Sequence, residues 1–207
     1  MKIVVKRMVV GPVCTNCYIV RRSESNKAVI VDPGEDFQKI KGYIENDKLE
    51  PIGILLTHGH FDHIGAADEL KRQYGIKIYA YEDEKDIVNS DLNLGGMFGC
   101  PAGCDVDFFV KEGEKIVLDE MEFEVIHTPG HTKGSCCFLL RNEKLLFSGD
   151  TLFEGSHGRT DFPTGSQSQI IRSITEKLLV LDEDVKVYPG HEYETNIGNE
   201  KKYYAFY

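Results

Sequence analysis

The stretch Ile52-Gly53-Ile54-Leu55-Leu56-Thr57-His58-Gly59-His60-Phe61-Asp62-His63 decides how this chain is read. Residues 52–56 have the length and apolar content of a buried strand, and the run ends in three imidazoles and a carboxylate within six residues. Four such groups at a strand-to-helix junction would crowd one another unless a cation held them, and zinc favours His and carboxylate donors. Alternate residues of extended backbone point the same way, so His58 and His60 can converge on one ion. Asp62 and His63 fall on the turn entering the next helix, which implies a second ion.

Working outward, Ile64, Ala67, Leu70 and Tyr74 share one helical face, Gly75 closes that helix, and residues 76–80 read as a strand, giving a βαβ unit. Upstream, residues 2–10, 18–21 and 28–31 read as short strands, the last ending at Asp32-Pro33-Gly34, and 37–44 has helical spacing. Residues 89–105 carry four glycines, a proline and two cysteines without periodicity, which predicts a surface loop able to overhang the histidines. Strand patterns return at 108–110, 116–118, 123–126, 136–140 and 145–148, a helix is expected over 169–181, and a last strand over 185–188. Two successive halves of strands followed by helix predict an α/β fold, a four-layer αββα sandwich, with residues 1–207 forming a single domain.

Three more candidate ligands each follow a strand pattern in a glycine-containing turn: Pro129-Gly130-His131, Ser148-Gly149-Asp150 and Pro189-Gly190-His191. Glycine or proline at such positions permits the tight backbone that presents a side chain at a sheet edge.

These residues resemble the fingerprint of the metallo-β-lactamase superfamily: H-x-H-x-D-H, then a His, a bridging Asp and a final His. The resemblance implies that His58, His60 and His131 bind one metal, that Asp62, His63 and His191 bind a second, and that Asp150 bridges. Asp62 and Asp150 are then the catalytic carboxylates that orient the attacking water. Thr128-Pro129-Gly130-His131-Thr132, Gly149-Asp150-Thr151-Leu152-Phe153 and Gly190-His191-Glu192-Tyr193 are similar to glyoxalase II, the hydroxyacylglutathione hydrolases. The implied activity is hydrolysis of a small-molecule thioester, such as an S-acyl or hydroxyacyl glutathione, on two divalent ions, with Zn2+ expected and Fe or Mn compatible with the same donors. Arg159 and Tyr193 match substrate-gripping positions; the alternative is a surface Arg paired with Asp161 and a Tyr packed against the sheet. Asp150 stands where many zinc β-lactamases carry cysteine, which weighs against an antibiotic hydrolase.

With 16 residues after His191, the helices with which glyoxalase II binds glutathione are not expected, and the resemblance is nearer to short bacterial hydrolases of that type. Gly158-Arg159-Thr160-Asp161-Phe162 is also similar to persulfide dioxygenases, which hold one iron by two His and one Asp; that is the alternative activity. A nuclease of the same superfamily is a third.

A net charge of -10 opposes nucleic acid, since the chain's field repels polyanions. No apolar run reaches the roughly 18 to 20 residues needed to span a bilayer, and Lys6 and Arg7 interrupt the start before a signal peptide could form, so no membrane association and a cytoplasmic location are expected. Cys14, Cys17, Cys100 and Cys104 have spacings that could form a four-thiolate zinc site, against an expectation of reduced, buried thiols in such a compartment. Adjacent Cys136 and Cys137 on one strand should face opposite sides. His127 is expected to be structural, and His157 has no assigned role.

Overall fold

A computed structural model describes residues 2–206. The first six strands, β1 (Ile3–Val10), β2 (Thr15–Arg22), β3 (Lys27–Val31), β4 (Glu50–Leu55), β5 (Ile78–Tyr81) and β6 (Phe108–Val110), form one sheet in chain order. β1 to β3 are antiparallel, and β3 to β6 are parallel. The second sheet also follows the chain: β7 (Lys115–Leu118), β8 (Met121–His127), β9 (Cys136–Leu140), β10 (Leu145–Gly149), β11 (Lys186–Pro189) and β12 (Thr195–Asn196). Here only β10 and β11 are parallel.

Side-chain parity builds the layers. Along β2 and β3, Tyr18, Val20, Val29 and Val31 pack between the sheets with Phe123, Phe138 and Phe147, whereas Cys17, Ile19, Ala28 and Ile30 face the helices outside the first sheet. The expected opposition of Cys136 and Cys137 holds: Cys136 belongs to the inter-sheet core and Cys137 to the core under the second helical layer. Alternation of this kind, with both faces apolar, is what a strand buried on two sides requires.

The helices are α1 (Phe37–Asn46), α2 (Phe61–Ile64), α3 (Ala67–Tyr74), α4 (Gly95–Phe98), α5 (Gln167–Arg172) and α6 (Ile197–Tyr203). α1 and α3 cover the first sheet through Ile40, Ile44, Ala67 and Leu70. Ile170, Ile174, Leu178 and Ile197 cover the second. The αββα sandwich expected from the pattern is therefore present.

Four details differ from the sequence reading. The helix expected over 64–74 is broken at Gly65-Ala66, where the Ala66 amide donates to the Pro33 carbonyl and Gly65 packs against Gly34. The helix expected over 169–181 is α-helical only to Arg172 and continues as a π-helical stretch, Ser173–Leu178, which keeps Ile170, Ile174 and Leu178 inward. Residues 89–105 contain two short turns of helix, Asp91–Asn93 and α4, the first capped by the Ser90 hydroxyl. Beyond His191, β12 and α6 complete the second sheet and its cover, with Asn196 capping α6. No helix of the described residues is long and apolar enough to cross a membrane.

Candidate metal centre

Every predicted donor emerges at the carboxyl end of a strand. His58, His60, Asp62 and His63 follow β4, His131 follows β8, Asp150 follows β10 and His191 follows β11. Ligand atoms of His58, His60 and His131 lie within 4.8 Å of one another; so do those of Asp62, His63 and His191, and those of His58, His63 and Asp150. The third group shares members with the other two sets, so all seven residues form one cluster with Asp150 between its halves. His58, His60 and His63 are almost fully buried, and His131 and Asp150 nearly so.

Hydrogen bonds fix which atom each ring offers. Thr57 gives its hydroxyl proton to Asp32 Oδ2 at 2.7 Å, so its 3.2 Å contact with His58 Nδ1 requires the ring nitrogen to donate. A carbonyl can only accept, so His131 Nδ1, 2.7 Å from the Arg159 oxygen, also carries its proton. His63 Nδ1 meets Asp32 Oδ2 at 3.0 Å. All three rings therefore present Nε2 to the cluster. His60 approaches it through Nδ1, 2.9 Å from His131 Nε2.

Asp62 is held by the Thr15 hydroxyl at 2.8 Å. The loop bearing His191 is clamped by the start of β2: the Asn16 amide donates to the Gly190 carbonyl, Asn16 Nδ2 to those of Pro189 and Glu192, and the Tyr18 hydroxyl to Pro189. Residues 15–18 are thus a brace for two ligands, and Cys17 simply turns away into the core.

The electrostatics are those of a site with converging lone pairs. Burial and neighbouring imidazoles hold His58 well below the usual histidine range, and burial with His131 brings His60 to about 3. Burial opposes charge on His63 as well, but Asp62, Asp150 and Asp32 outweigh it and raise the ring well above its ordinary value. Asp62, pushed up by burial, is pulled down to about 2 by His63 and His191. His58 Nε2, His60 Nε2, His63 Nε2 and Asp150 Oδ1 are buried with no hydrogen-bond partner. Buried polar atoms are almost always paired; since His60 turns Nδ1 to the cluster, the orphans that face it are His58 Nε2, His63 Nε2 and Asp150 Oδ1, and they fit a cation that takes their lone pairs. The mixed imidazole and carboxylate donor set suits zinc, iron or manganese.

Space for such ions is protected. A Cβ on Gly190 would stand 2.2 Å from Asp150 Oδ1 and 2.7 Å from His63 Cε1. The cluster forms the floor of a cavity of about 870 Å³ lined by apolar side chains together with Arg7, Asn16, His157, Arg159 and Tyr193.

Of the two expected substrate residues, Arg159 borders the cavity but is tied to Asp161 by two bonds of 2.9 and 2.7 Å and lies over the Phe162 ring at 4.2 Å. Tyr193 borders it too, mostly exposed, with the Arg7 guanidinium 5.6 Å from its ring centre. His127 is structural as expected: its ring stacks on Tyr81 and its Nε2 meets the Lys133 carbonyl. His157 bonds the Tyr204 hydroxyl and Gln167. The donor groups among the described residues include no cysteine, and Cys17 and Cys104 are buried thiols raised by desolvation, Cys104 to about 12, so the four-thiolate arrangement is not formed.

Two supporting acids escaped the sequence reading. Asp32, seen there only as a turn residue, orients His63 and accepts the Thr57 amide. Glu84 is fully buried and accepts from the Gly59 amide and the Thr132 hydroxyl, joining the two histidine segments; burial raises it to about 7.

The Metallo-beta-lactamase superfamily model matches residues 10–191. The chain is 40% identical over 194 residues to hydroxyacylglutathione hydrolase GloC of Haemophilus influenzae, covering 90% of each. The crystal structure of BLEG-1 B3 metallo-beta-lactamase is similar with a TM-score of 0.92 and 35% identity, over 96% of this chain and 97% of that one. TTHA1623 in a di-iron-bound form is similar with a TM-score of 0.86 and 31% identity, over 96% and 98%. With its family pattern spanning both sheets and ending on the last histidine of the cluster, this chain belongs to the metallo-beta-lactamase superfamily.

Proposed function

We propose that this protein is a binuclear metal-dependent hydrolase of small thioesters. The observation that carries the reading is the seven-donor cluster on the floor of a cavity large enough for a small molecule. His58, His60 and His131 would hold one cation and Asp62, His63 and His191 the other, with Asp150 shared. Two divalent ions in such a cage supply Lewis acidity and lower the pKa of water toward neutrality, with Zn2+ the expected occupant and iron or manganese compatible. The similarity to GloC supports a thioester as substrate, and the di-iron neighbour supports two ions.

Hydrolysis adds the oxygen of water to the acyl carbon and breaks the carbon–sulfur bond, giving a carboxylic acid and a thiol. Asp62 and Asp150 border the cavity and orient the attacking water as acceptors, since their environment keeps both ionised. Thr15 fixes Asp62, and Asp32 fixes His63, so that neither reorganises during reaction. A thiolate leaves readily, so no dedicated acid is required on the leaving side.

Elemental analysis of the purified protein, with assays on S-lactoylglutathione, glutathione persulfide and a β-lactam, tests this. Two metal equivalents and thioester hydrolysis, both lost in His60→Ala and Asp150→Ala, are expected. One iron with oxygen uptake on the persulfide would replace the reading with the dioxygenase alternative. Cleavage of the β-lactam alone would make the chain functionally akin to BLEG-1.

A further inference from the structure

The cavity above the cluster is not uniform. On the His60 side its wall is aromatic. The rings of Phe61 and Phe98 stack with centroids 5.3 Å apart and an interplanar angle of 22°; Phe98 meets Phe162 edge-on at 6.5 Å, and Phe162 meets the His60 ring edge-on at 6.0 Å. All three phenylalanines line the cavity. Phe98 comes from α4, is 47% exposed and belongs to none of the apolar cores formed by the described residues. On the His191 side a single ring, Phe153, lies edge-on to His191 at 6.1 Å, and beside it stand the polar Asn16, Arg7 and Tyr193.

We propose that the Phe61–Phe98–Phe162 wall is the acyl-binding surface of this site and selects thioesters with an apolar acyl group, aliphatic of about four to eight carbons or aromatic, over 2-hydroxyacyl groups. The inference rests on the thioester reading above. Phenyl rings offer no hydrogen-bond donor to an acyl hydroxyl, and the cation beside this wall, Arg159, already spends its guanidinium on Asp161 and the Phe162 face. A hydroxyl moved from water onto such a surface loses its partners. A methylene moved there gains about 0.8 kcal/mol, roughly fourfold in affinity. Phe61 cannot leave the wall, because it lies between His60 and Asp62; Phe98 is the member free to set how long a chain fits. The side near His191, where Asn16, Arg7 and Tyr193 offer polar groups beside Phe153, is left for the thiol arm.

The test uses the metal-loaded protein and S-acyl thioesters of one neutral thiol, N-acetylcysteamine, bearing acetyl, butyryl, hexanoyl, phenylacetyl and lactoyl groups. Expected is a kcat/KM that rises about two- to fourfold per methylene from acetyl to hexanoyl, with hexanoyl at least tenfold above lactoyl. Phe98→Ala should lower the hexanoyl-to-acetyl ratio about tenfold, and Phe98→Leu should restore most of it. Direct binding by calorimetry of the non-hydrolysable S-methyl and S-hexyl thioethers of the same thiol should show the same length preference in the wild type and its loss in Phe98→Ala. A flat chain-length series, a preference for lactoyl, or a ratio unchanged in Phe98→Ala overturns this inference alone. Hydrolysis of none of the thioesters overturns the thioester reading and this inference with it.

Discussion

The Gly59 amide donates a 2.7 Å hydrogen bond to the Glu84 carboxylate, which the Thr132 hydroxyl also contacts, so one fully buried acid ties the segment of His58 and His60 to the segment of His131. Glu84 approaches so closely that a Cβ on Gly59 would stand 2.7 Å from its Oε2, and one on Gly134 the same distance from its Oε1. The two glycines exist, in effect, to admit the acid.

Burial raises Glu84 from its ordinary 4.5 to about 7, so between those values the folded chain binds a proton that the unfolded chain has released. A raised folded pKa stabilises fully below 4.5 and is lost as pH climbs through 7. In metal-free protein, the stability of the wild type relative to Glu84→Gln should therefore fall by about 2 to 3 kcal/mol from pH 5 to pH 8. Urea unfolding of both proteins at the two pH values measures it, and parallel pH profiles would count against a raised Glu84.

Asp32→Asn should weaken metal affinity by about ten- to a hundredfold while leaving the fold intact, because the carboxylate sets the His63 tautomer and also anchors Thr57, which in turn orients His58. Competition against a chelator of known affinity gives the number. An unchanged affinity would show that the outer partners are dispensable.

Gly190→Ala places a methyl carbon against Asp150 Oδ1 and the His63 ring. Bound metal and activity should both fall at least tenfold, with a circular dichroism spectrum like that of the wild type. Full metal occupancy in this variant would mean that the loop relaxes and that the close approach is not needed.

The orphaned lone pairs of His58, His63 and Asp150 that face the cluster leave the metal-free fold with an avoidable cost. Adding Zn2+, Mn2+ or Fe2+ at a hundred times the dissociation constant should stabilise the chain by about 2.7 kcal/mol. For a chain of this size that is a melting temperature higher by about 5 to 10 °C. No shift with any of the three ions would be incompatible with a metal site here.

The parts of the fold that were legible are those with a strong period. The runs 136–140 and 145–148 appear within a residue of β9 and β10, and His58 to His63 fall where a strand end should put them. The short turns of 91–98 were not legible, because three or four residues carry no period, and α4 holds two glycines that mask it. β12 and α6 were missed for a similar reason: a two-residue strand is defined by its pairing with β11, not by its own composition.

Glu84 is the sharper lesson. It sits in Glu82-Asp83-Glu84-Lys85-Asp86, which reads as a solvated charge run, and its neighbours on either side are indeed exposed. What buries it is the arrival of Gly59 and Gly134 from segments 25 and 50 residues away.

By itself the sequence determined the donor types, their order and the strand ends that present them, because a two- or 3.6-residue period and a glycine turn are local properties. Tertiary structure alone decided that His58, His60 and His131 meet on one side of Asp150 and Asp62, His63 and His191 on the other, that Arg159 is bound to Asp161 and so has little left for a substrate, and that Phe61, Phe98 and Phe162 make one wall. Those outcomes depend on how two sheets twist against each other and where their loops land. That is a sum over contacts distant in the chain, which no local pattern encodes.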